Sequence, residues 1–310
     1  MGKTAFVFAG QGAQKIGMGK ELSENFDIAK RTFEEASDAI GFDIKEMIFS
    51  GDEKTLMLTE NTQPAIVTMS IAALRVLAEQ GVHADIAAGL SLGEYSAHVA
   101  SGTFAFSDSV RLVKKRGKFM QEEVPEGVGA MAAILGLSAE DVKEVCKKAS
   151  EFGICEPANF NCPGQIVVSG EVGAIDKACD IAKDMGAKRA MKLAVSAPFH
   201  CSMLKGAGEK LAKELENTTI FDMNIPVITN VTADYVAKKE EVKELLKLQV
   251  SNSVRWEESI RRMISDGADT FIEIGPGKTL SGFIRKIDKE VRVFNVEDMQ
   301  SLEKTLEGVK

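Results

Sequence analysis

One serine in this sequence has the surroundings of a nucleophile. Ser91 stands in Gly89-Leu90-Ser91-Leu92-Gly93, which matches the pattern G-x-S-x-G. Small residues on either side allow a sharp, strained turn that exposes the serine hydroxyl at the start of a helix. Free backbone N–H groups and the helix dipole at such a point favour a negatively charged oxygen. Since a simple glycine-flanked loop would also fit these five residues, their context must decide.

The neighbouring segments favour the nucleophile. An apolar stretch at 85–90 predicts a buried strand, and helical spacing begins at about 92, so Ser91 lies where the strand meets the helix. A serine hydroxyl is a weak nucleophile unless a base is close to it. The sequence therefore has to supply a histidine within reach of Ser91.

Three histidines are present, and two of them are too far from Ser91. His83 precedes it by eight extended residues, which is roughly 25 Å. His98 lies on the same face of the following helix but about 10 Å further along the axis, and we expect it to be partly buried. His200 remains, on a loop stiffened by Pro198, and is the predicted base. Taken alone, a loop histidine is more often structural or solvated than catalytic.

Composition is that of an ordinary soluble globular enzyme. Of 310 residues, 45% are hydrophobic and 27% charged, and the formal net charge of −8 argues against wholesale nucleic-acid binding. No apolar run approaches the roughly 18 residues of a membrane helix. Five cysteines without paired short spacing and three histidines suggest neither a disulfide framework nor a metal cluster. We therefore expect reduced thiols in the cytoplasm, with Cys201, beside His200, a buried structural thiol.

The rest of the chain must position these groups, and its periodicity predicts a large α/β unit. A first strand at 4–9 runs into a glycine-rich loop, and helical spacing covers 20–40 and 61–80. The later predicted strands are 225–230, 269–274 and 291–295, and the later predicted helices are 202–216, 239–250, 256–266 and 277–287. This alternation predicts a mainly parallel sheet covered by helices on both faces.

Residues 127–195 have a different pattern. Strand, helix, two strands, helix and strand follow one another, which is the βαββαβ order of a ferredoxin-like unit. The predicted strands are 129–136, 154–160, 165–169 and 188–195, and the predicted helices are 138–150 and 172–185. We therefore predict a small domain at 127–195, inserted into a large domain made of 1–126 and 196–310.

Several blocks of the sequence, taken in order, resemble the bacterial malonyl-CoA:acyl-carrier-protein transacylases and related acyltransferase domains. The likeness runs the whole chain and is carried by FVFAGQGAQ at 6–14, TQPAI at 62–66, GLSLGEY at 89–95, RGKFMQ at 116–121, NFNCPGQIVVSG at 159–170, PFHC at 198–201, SVRW at 253–256 and IGPGKTLSGFIRKI at 274–287. The resemblance implies an α/β-hydrolase-like large domain, a ferredoxin-like small domain and an active site in the cleft between them.

By this resemblance, Gln11 lines the oxyanion site together with the backbone N–H of Leu92. Without the family, GQGAQ at 10–14 is only a glycine turn. The loop lacks the GK[ST] of a phosphate loop and the third glycine of a dinucleotide fingerprint, which disfavours those two kinds of site.

Arg116 matches the arginine that in this family pairs with the free carboxylate of the malonyl group. A planar guanidinium can hold a carboxylate through two parallel hydrogen bonds, which selects charged acyl groups over acetyl. Without the family, it would be a solvated member of the basic run at 114–118. Gln249 matches the glutamine whose backbone carbonyl orients the catalytic histidine, so Ser91 and His200 would form a dyad without an acidic third member.

Further positions match residues near the acyl group. Phe199 resembles the malonyl-selective form of its loop, since a bulky ring leaves little room for an α-methyl branch. Asn159 and Asn161 match positions near the acyl site, although turn formation explains them equally well. Leu90 departs from the family, because many members have histidine before the nucleophile.

The activity that the resemblance implies is a ping-pong transfer. Ser91 would take the malonyl group from malonyl-CoA and pass it to the phosphopantetheine thiol of an acyl carrier protein, for fatty-acid chain elongation and without a cofactor. The carrier is typically acidic, so we expect it to dock near basic residues such as Lys188 and Arg189. We expect a monomer that binds neither nucleic acid nor membrane.

Two other functions stay open on the residues alone. A thioester or carboxylester hydrolase would use the same serine and histidine, although Arg116 and the GQGAQ loop disfavour it. A non-catalytic scaffold that binds acyl-CoA or a carrier would have no need of both Ser91 and His200.

Overall fold

The computed structural model describes residues 2–195 and 197–309, which form two β-sheets with flanking helices. Ser196, where we place a domain boundary, lies outside the described residues. The strands are β1 (Lys3–Phe8), β2 (Ile86–Gly89), β3 (Gly129–Leu135), β4 (Cys155–Cys162), β5 (Gln165–Glu171), β6 (Arg189–Lys192), β7 (Val227–Ile228), β8 (Ala268–Ile274) and β9 (Arg292–Val296). The α-helices are α1 (Lys20–Asn25), α2 (Asp27–Ile40), α3 (Ile44–Ser50), α4 (Glu53–Met57), α5 (Thr59–Glu79), α6 (Gly93–Ala100), α7 (Phe106–Glu123), α8 (Ala139–Ala149), α9 (Val172–Asp184), α10 (Lys205–Glu216), α11 (Val242–Gln249), α12 (Trp256–Ser265), α13 (Thr279–Ile287) and α14 (Met299–Val309).

The first sheet has five strands in the order β7-β2-β1-β8-β9, and every neighbouring pair is parallel. Alternate residues of β1 enter two different cores: Phe6 and Phe8 pack on one face, and Ala5 and Val7 on the other. Helices cover both faces, which is why β1 is apolar on both sides from Ala5 to Phe8, and β2 likewise from Ile86 to Gly89. The α/β class and the mainly parallel sheet predicted from the sequence are confirmed.

The second sheet is antiparallel, with four strands in the order β4-β5-β3-β6. Helices α8 and α9 pack on it around a separate core that includes Val142, Val168 and Ile175. Edge strand β4 is also tied to the segment before α12, because Val254 N donates to Ala158 O at 2.8 Å and Phe160 N donates to Val254 O at 2.9 Å. Backbone hydrogen bonds therefore tie the antiparallel sheet to the segment before α12.

Several element boundaries differ from the prediction. The helical span 20–40 is interrupted at Phe26, whose extended backbone separates α1 from α2. The strand predicted at 188–195 ends at Lys192. Helices α3, α4, α7 and α14 had no sequence prediction. Among the described residues, no helix is long and apolar enough to cross a membrane.

Candidate active site

Ser91 lies in the tight connection between β2 and α6. Its backbone is left-handed, with φ of 53°, which is unfavourable for a residue with a side chain and persists only when its surroundings enforce it. A Cβ on Gly89 would lie 1.9 Å from the carbonyl carbon of Gly93, and one on Gly93 would lie 2.1 Å from Phe8 O. Only glycine fits at either position, so the G-x-S-x-G pattern has a steric cause here.

His200 is the histidine that reaches Ser91. Its Nε2 lies 2.7 Å from Ser91 Oγ, and its Nδ1 lies 2.9 Å from the backbone oxygen of Gln249. Because a carbonyl oxygen only accepts, Nδ1 carries the proton and Nε2 is free to accept one from the serine. Burial, and then the cation of Arg116, lowers the pKa of His200 to about 4. The imidazole is therefore neutral at neutral pH, as a general base must be.

The other two histidines lie elsewhere. His83 is exposed, before β2. His98 is 1% exposed inside α6, more deeply buried than predicted, and its ring meets the Phe104 ring edge-on. Burial lowers the pKa of His98 to about 3, so this side chain is neutral and part of the core. The elimination made from sequence spacing agrees with these positions.

Arg116 projects from α7 and is 1% exposed. Its Nη1 donates to Gln63 Oε1 at 3.0 Å, and its Nη2 donates to Gln249 Oε1 at 3.0 Å and lies 3.4 Å from Ser91 Oγ. Burial lowers the pKa of Arg116, but a guanidinium keeps its charge in proteins. Arg116 is therefore a fixed cation beside the serine hydroxyl and not a solvated member of the basic run.

Two residues that the sequence analysis missed support the serine backbone, Asn230 directly and Glu94 through its contacts with Asn230 and Gln249. Asn230 Oδ1 accepts from Ser91 N at 2.6 Å, and its Nδ2 donates to Gly89 O at 2.7 Å. Glu94 is fully buried, and its Oε2 accepts from Asn230 N at 2.9 Å and from Gln249 Nε2 at 2.7 Å. Burial raises the pKa of Glu94 to about 7. The only sequence signal is the place of Glu94 in GLSLGEY, where the helix dipole already explains a glutamate.

A cleft of about 520 Å³ opens over Ser91, and segments adjoining both sheets line it. The predicted site residues in its wall are Gln11, Ser91, Arg116, Asn159, Asn161, Phe199 and His200. Leu92 and Gln249 lie outside this lining, Leu92 directly before α6 and Gln249 at the end of α11. The structure thus gathers at one cleft residues that are far apart in the chain.

Gln11 is held at the cleft by two weak contacts. Its Nε2 donates to Thr59 Oγ1 at 3.5 Å, and its Oε1 accepts from Gln63 Nε2 at 3.4 Å. Leu90, which stands where many family members have histidine, also lines the cleft and makes that part of the wall apolar.

Comparison with known proteins decides the family. The acyl transferase domain family matches residues 5–304. The malonyl CoA-acyl carrier protein transacylase of Bacillus subtilis (strain 168) is 49% identical over 311 residues, which cover 100% of this chain and 98% of that protein. The protein of the same name from Staphylococcus aureus (strain MRSA252) is 44% identical over 303 residues, covering 97% and 98%. This chain belongs to the acyl transferase domain family.

Solved structures with an acyl transferase fold match over almost the whole chain. The malonyl CoA-acyl carrier protein transacylase of Clostridium perfringens ATCC 13124 has 52% identity and a TM-score of 0.97, covering 99% of this chain and 97% of that one. A type II PKS acyl-carrier protein in complex with its malonyl-transacylase gives 42% identity and a TM-score of 0.96, covering 99% of each chain. This acyl transferase therefore shares their backbone throughout.

The cysteines of this acyl transferase take no visible part in the site. All five are buried and unpaired. Cys201, next to His200, donates its thiol to Pro198 O at 3.2 Å, and burial raises its pKa to about 11. It is the buried thiol expected from the sequence. Within residues 2–195 and 197–309, no group of three or more His, Cys, Asp or Glu side chains could hold a metal ion.

Proposed function

We propose that this acyl transferase moves malonyl groups from malonyl-CoA to the phosphopantetheine thiol of an acyl carrier protein, supplying fatty-acid chain elongation through a malonyl-Ser91 intermediate. The observation that carries the proposal is the buried cation of Arg116, 3.4 Å from Ser91 Oγ. A neutral acyl group has no use for such a cation, whereas the free carboxylate of malonate does. Relatives at 49% and 44% identity are named for this reaction.

The first half-reaction loads the serine. His200 Nε2 takes the hydroxyl proton while Ser91 Oγ attacks the thioester carbonyl, and an oxyanion forms. The backbone N–H of Leu92, at the start of α6, and the Gln11 side chain stabilise that oxyanion. When it collapses, the carbon–sulfur bond breaks, His200 returns the proton, and coenzyme A leaves as the thiol.

The second half-reaction unloads it. His200 takes the proton of the phosphopantetheine thiol, and the sulfur attacks the malonyl ester on Ser91. The carbon–oxygen bond then breaks, Ser91 recovers its proton from His200, and malonyl-carrier leaves. The Gln249 carbonyl keeps the imidazole in the required tautomer in both directions, so a serine–histidine dyad suffices and no cofactor is needed.

Acyl selectivity follows from the wall of the cleft. Arg116 pairs with the malonyl carboxylate, and Phe199, only 8% exposed at the cleft, leaves little room for an α-methyl branch. Asn159 and Asn161, on β4, line the same cleft and are proposed to contact the acyl group.

We also infer the finer architecture named from the sequence. The order β4-β5-β3-β6, with all neighbours antiparallel and with α8 and α9 packed on the sheet, supports a ferredoxin-like small domain at 127–195. The parallel sheet with a serine turn after β2 supports an α/β-hydrolase-like large domain made of 1–126 and 196–310.

The proposed partner is an acidic carrier protein. One similar structure is a complex of an acyl-carrier protein with its malonyl-transacylase. Because this chain carries a net charge of −8, such a carrier needs a local basic surface, and Lys188 and Arg189 are exposed at the edge strand β6. We place the enzyme in the cytoplasm as a monomer, and its five unpaired cysteines fit a reducing compartment.

Product analysis tests the proposed function. Malonyl-CoA is incubated with the enzyme, with and without carrier bearing its phosphopantetheine arm, and malonyl-carrier and free malonate are measured. We expect malonyl-carrier to form and little free malonate in either case. Malonate released without carrier at the same rate as coenzyme A would instead identify a hydrolase. Binding without either product would identify a scaffold.

A further inference from the structure

Glu94 is a buried carboxylate that the steps above do not use. It lies in the first turn of α6, close behind Ser91 in the chain. Burying a carboxylate is costly unless well-placed donors surround it. Among the described residues, however, Oε1 has no hydrogen-bond partner, while Oε2 accepts two bonds. Within this part of the chain, all hydrogen bonds of this carboxylate are made by Oε2, so any role of Glu94 must come from the two residues that donate to Oε2.

Both donors to Oε2 belong to residues that hold Ser91. Asn230 donates its backbone N–H at 2.9 Å, and its side chain accepts from Ser91 N and donates to Gly89 O. Gln249 donates Nε2 at 2.7 Å, and the same nitrogen donates to Ser91 O at 3.0 Å. A single carboxylate oxygen therefore links the two segments that grip the serine.

The contact with Gln249 also fixes which way its side-chain amide faces. A carboxylate oxygen only accepts, so Glu94 requires the nitrogen end of the amide. The oxygen end is then directed at Arg116, whose Nη2 donates to it at 3.0 Å. If the amide were reversed, two acceptors would meet at Glu94 and two donors would meet at Arg116.

We infer that Glu94 is a positioning residue for acyl selectivity, which orients the Gln249 amide and thereby aims Arg116 at the carboxylate of a malonyl group on Ser91. The inference rests on the proposed function, since only a dicarboxylic acyl group uses the cation. Glu94 Oε2 orients the Gln249 amide by accepting hydrogen bonds, which does not require a negative charge. An uncharged acceptor at the same place should therefore preserve the orientation of the amide.

Two variants of similar size separate this role from general stabilisation. Glu94→Gln keeps an acceptor for Gln249 and Asn230 without the charge, and Glu94→Met fills the space without an acceptor. Ile175→Ala, in the separate core around α9, serves as a control that lowers stability away from the cleft. The rate of Ser91 acylation is measured with malonyl-CoA and with acetyl-CoA, and the ratio of the two rates is compared.

We expect Glu94→Met to lower the malonyl-to-acetyl ratio by about tenfold or more, because small misplacements of a positioning group cost one to two orders of magnitude. Glu94→Gln should stay within about threefold of wild type, and Ile175→Ala should leave the ratio unchanged. In a Gln249→Met background, Glu94→Met should add less than about twofold, since the two residues act in series. If Glu94→Met does not fold, Glu94→Ala replaces it.

An unchanged ratio in the folded Glu94→Met or Glu94→Ala variant would overturn the inference, as would equal loss in Glu94→Gln. A purely structural role would lower both acylation rates together and leave their ratio intact. If the wild-type enzyme forms no malonyl-Ser91, the proposed function itself fails, and that outcome is visible before any variant is compared.

Discussion

At the scale of single residues, the site depends on polar groups that are buried and paired. His200, Arg116 and Glu94 are each at least nine-tenths buried, and each is oriented by a contact to Gln249. Burial keeps His200 neutral. The hydrogen bonds of Arg116 go to uncharged oxygens of Gln63, Gln249 and Ser91. Chemical function here follows from how these side chains are enclosed as much as from their identity.

The first prediction concerns Arg116. Replacing it with alanine removes the cation and leaves the Gln63 and Gln249 oxygens unpaired, so kcat/KM for malonyl-CoA should fall about 100-fold, a loss of about 3 kcal/mol. The rate with acetyl-CoA should change much less. Arg116→Lys keeps the charge but not the planar fork, so its kcat/KM for malonyl-CoA should lie between those of wild type and Arg116→Ala. If Arg116→Ala kept the malonyl-over-acetyl preference of wild type, Arg116 would not be the residue that recognises the malonyl carboxylate.

The second prediction concerns pH. The pKa of His200 is lowered to about 4, so the imidazole is neutral and able to accept a proton at all pH values above that. Protonation of Glu94 near pH 7 leaves Oε2 as an acceptor and should cause no step. We therefore expect kcat/KM for acylation to stay level from pH 8 to about 5 and to decline only as His200 gains a proton. A half-loss near pH 6.5, the ordinary histidine value, would contradict the buried geometry.

Ser91 and His200 could be predicted from the sequence because few residues could do their chemistry. A glycine-flanked serine and three histidines left one plausible pair. The burial of Arg116 could not be predicted, since a run of lysines and arginines normally indicates a solvated helix face. The role of Asn230 could not be predicted either, since a strand end and a turn would equally explain an asparagine there. The roles of such residues depend on contacts between segments that are distant in the chain.

At the scale of elements, the strand–turn–helix around Ser91 is the element that the local sequence determines most closely. Gly89 and Gly93 approach neighbouring backbone so closely that no Cβ fits, and Asn230 ties both sides of the turn. The G-x-S-x-G pattern therefore predicted this element well. Helix α7 was missed, although it brings Arg116 into the cleft, because its buried face includes Ser109, Arg116 and Gly117, which blur the apolar period.

The third prediction tests that turn. Gly89→Ala places a methyl group on the Gly93 backbone, so the free energy of unfolding should fall by about 3 kcal/mol or more and malonyl-Ser91 should not form. Gly173→Ala is the matched control, because a Cβ there meets nothing within 4 Å on the exposed side of α9. Alanine should stabilise that helix by about 0.5–1 kcal/mol. Urea unfolding measures both, and equal stability of the two variants would refute the steric argument.

At the scale of the whole molecule, the cleft draws on both sheets. The parallel sheet supplies Ser91 through β2, and the antiparallel sheet supplies Asn159 and Asn161 through β4. The alternation of elements in the sequence predicted the two sheets. It could not predict how they meet, because that depends on contacts such as the backbone bonds of Val254 with β4.

The fourth prediction concerns carrier docking. Reversing both charges with Lys188→Glu and Arg189→Glu should lower kcat/KM for the carrier about tenfold at low salt and less at high salt, because exposed charges act mainly on association. Loading by malonyl-CoA should be unaffected. The control, Lys30→Glu with Arg31→Glu, makes the same change in net charge on α2, away from the cleft lining. Equal effects of the two double variants would exclude a local docking surface.

The most direct test of the central claim is the intact mass of the protein after brief incubation with malonyl-CoA, for wild type and for Ser91→Ala, followed by addition of the carrier. We predict a malonyl adduct on wild type alone, discharged to the carrier thiol. An adduct that persists in Ser91→Ala, or a wild-type enzyme that yields malonyl-carrier without ever carrying the adduct, would contradict transfer through Ser91.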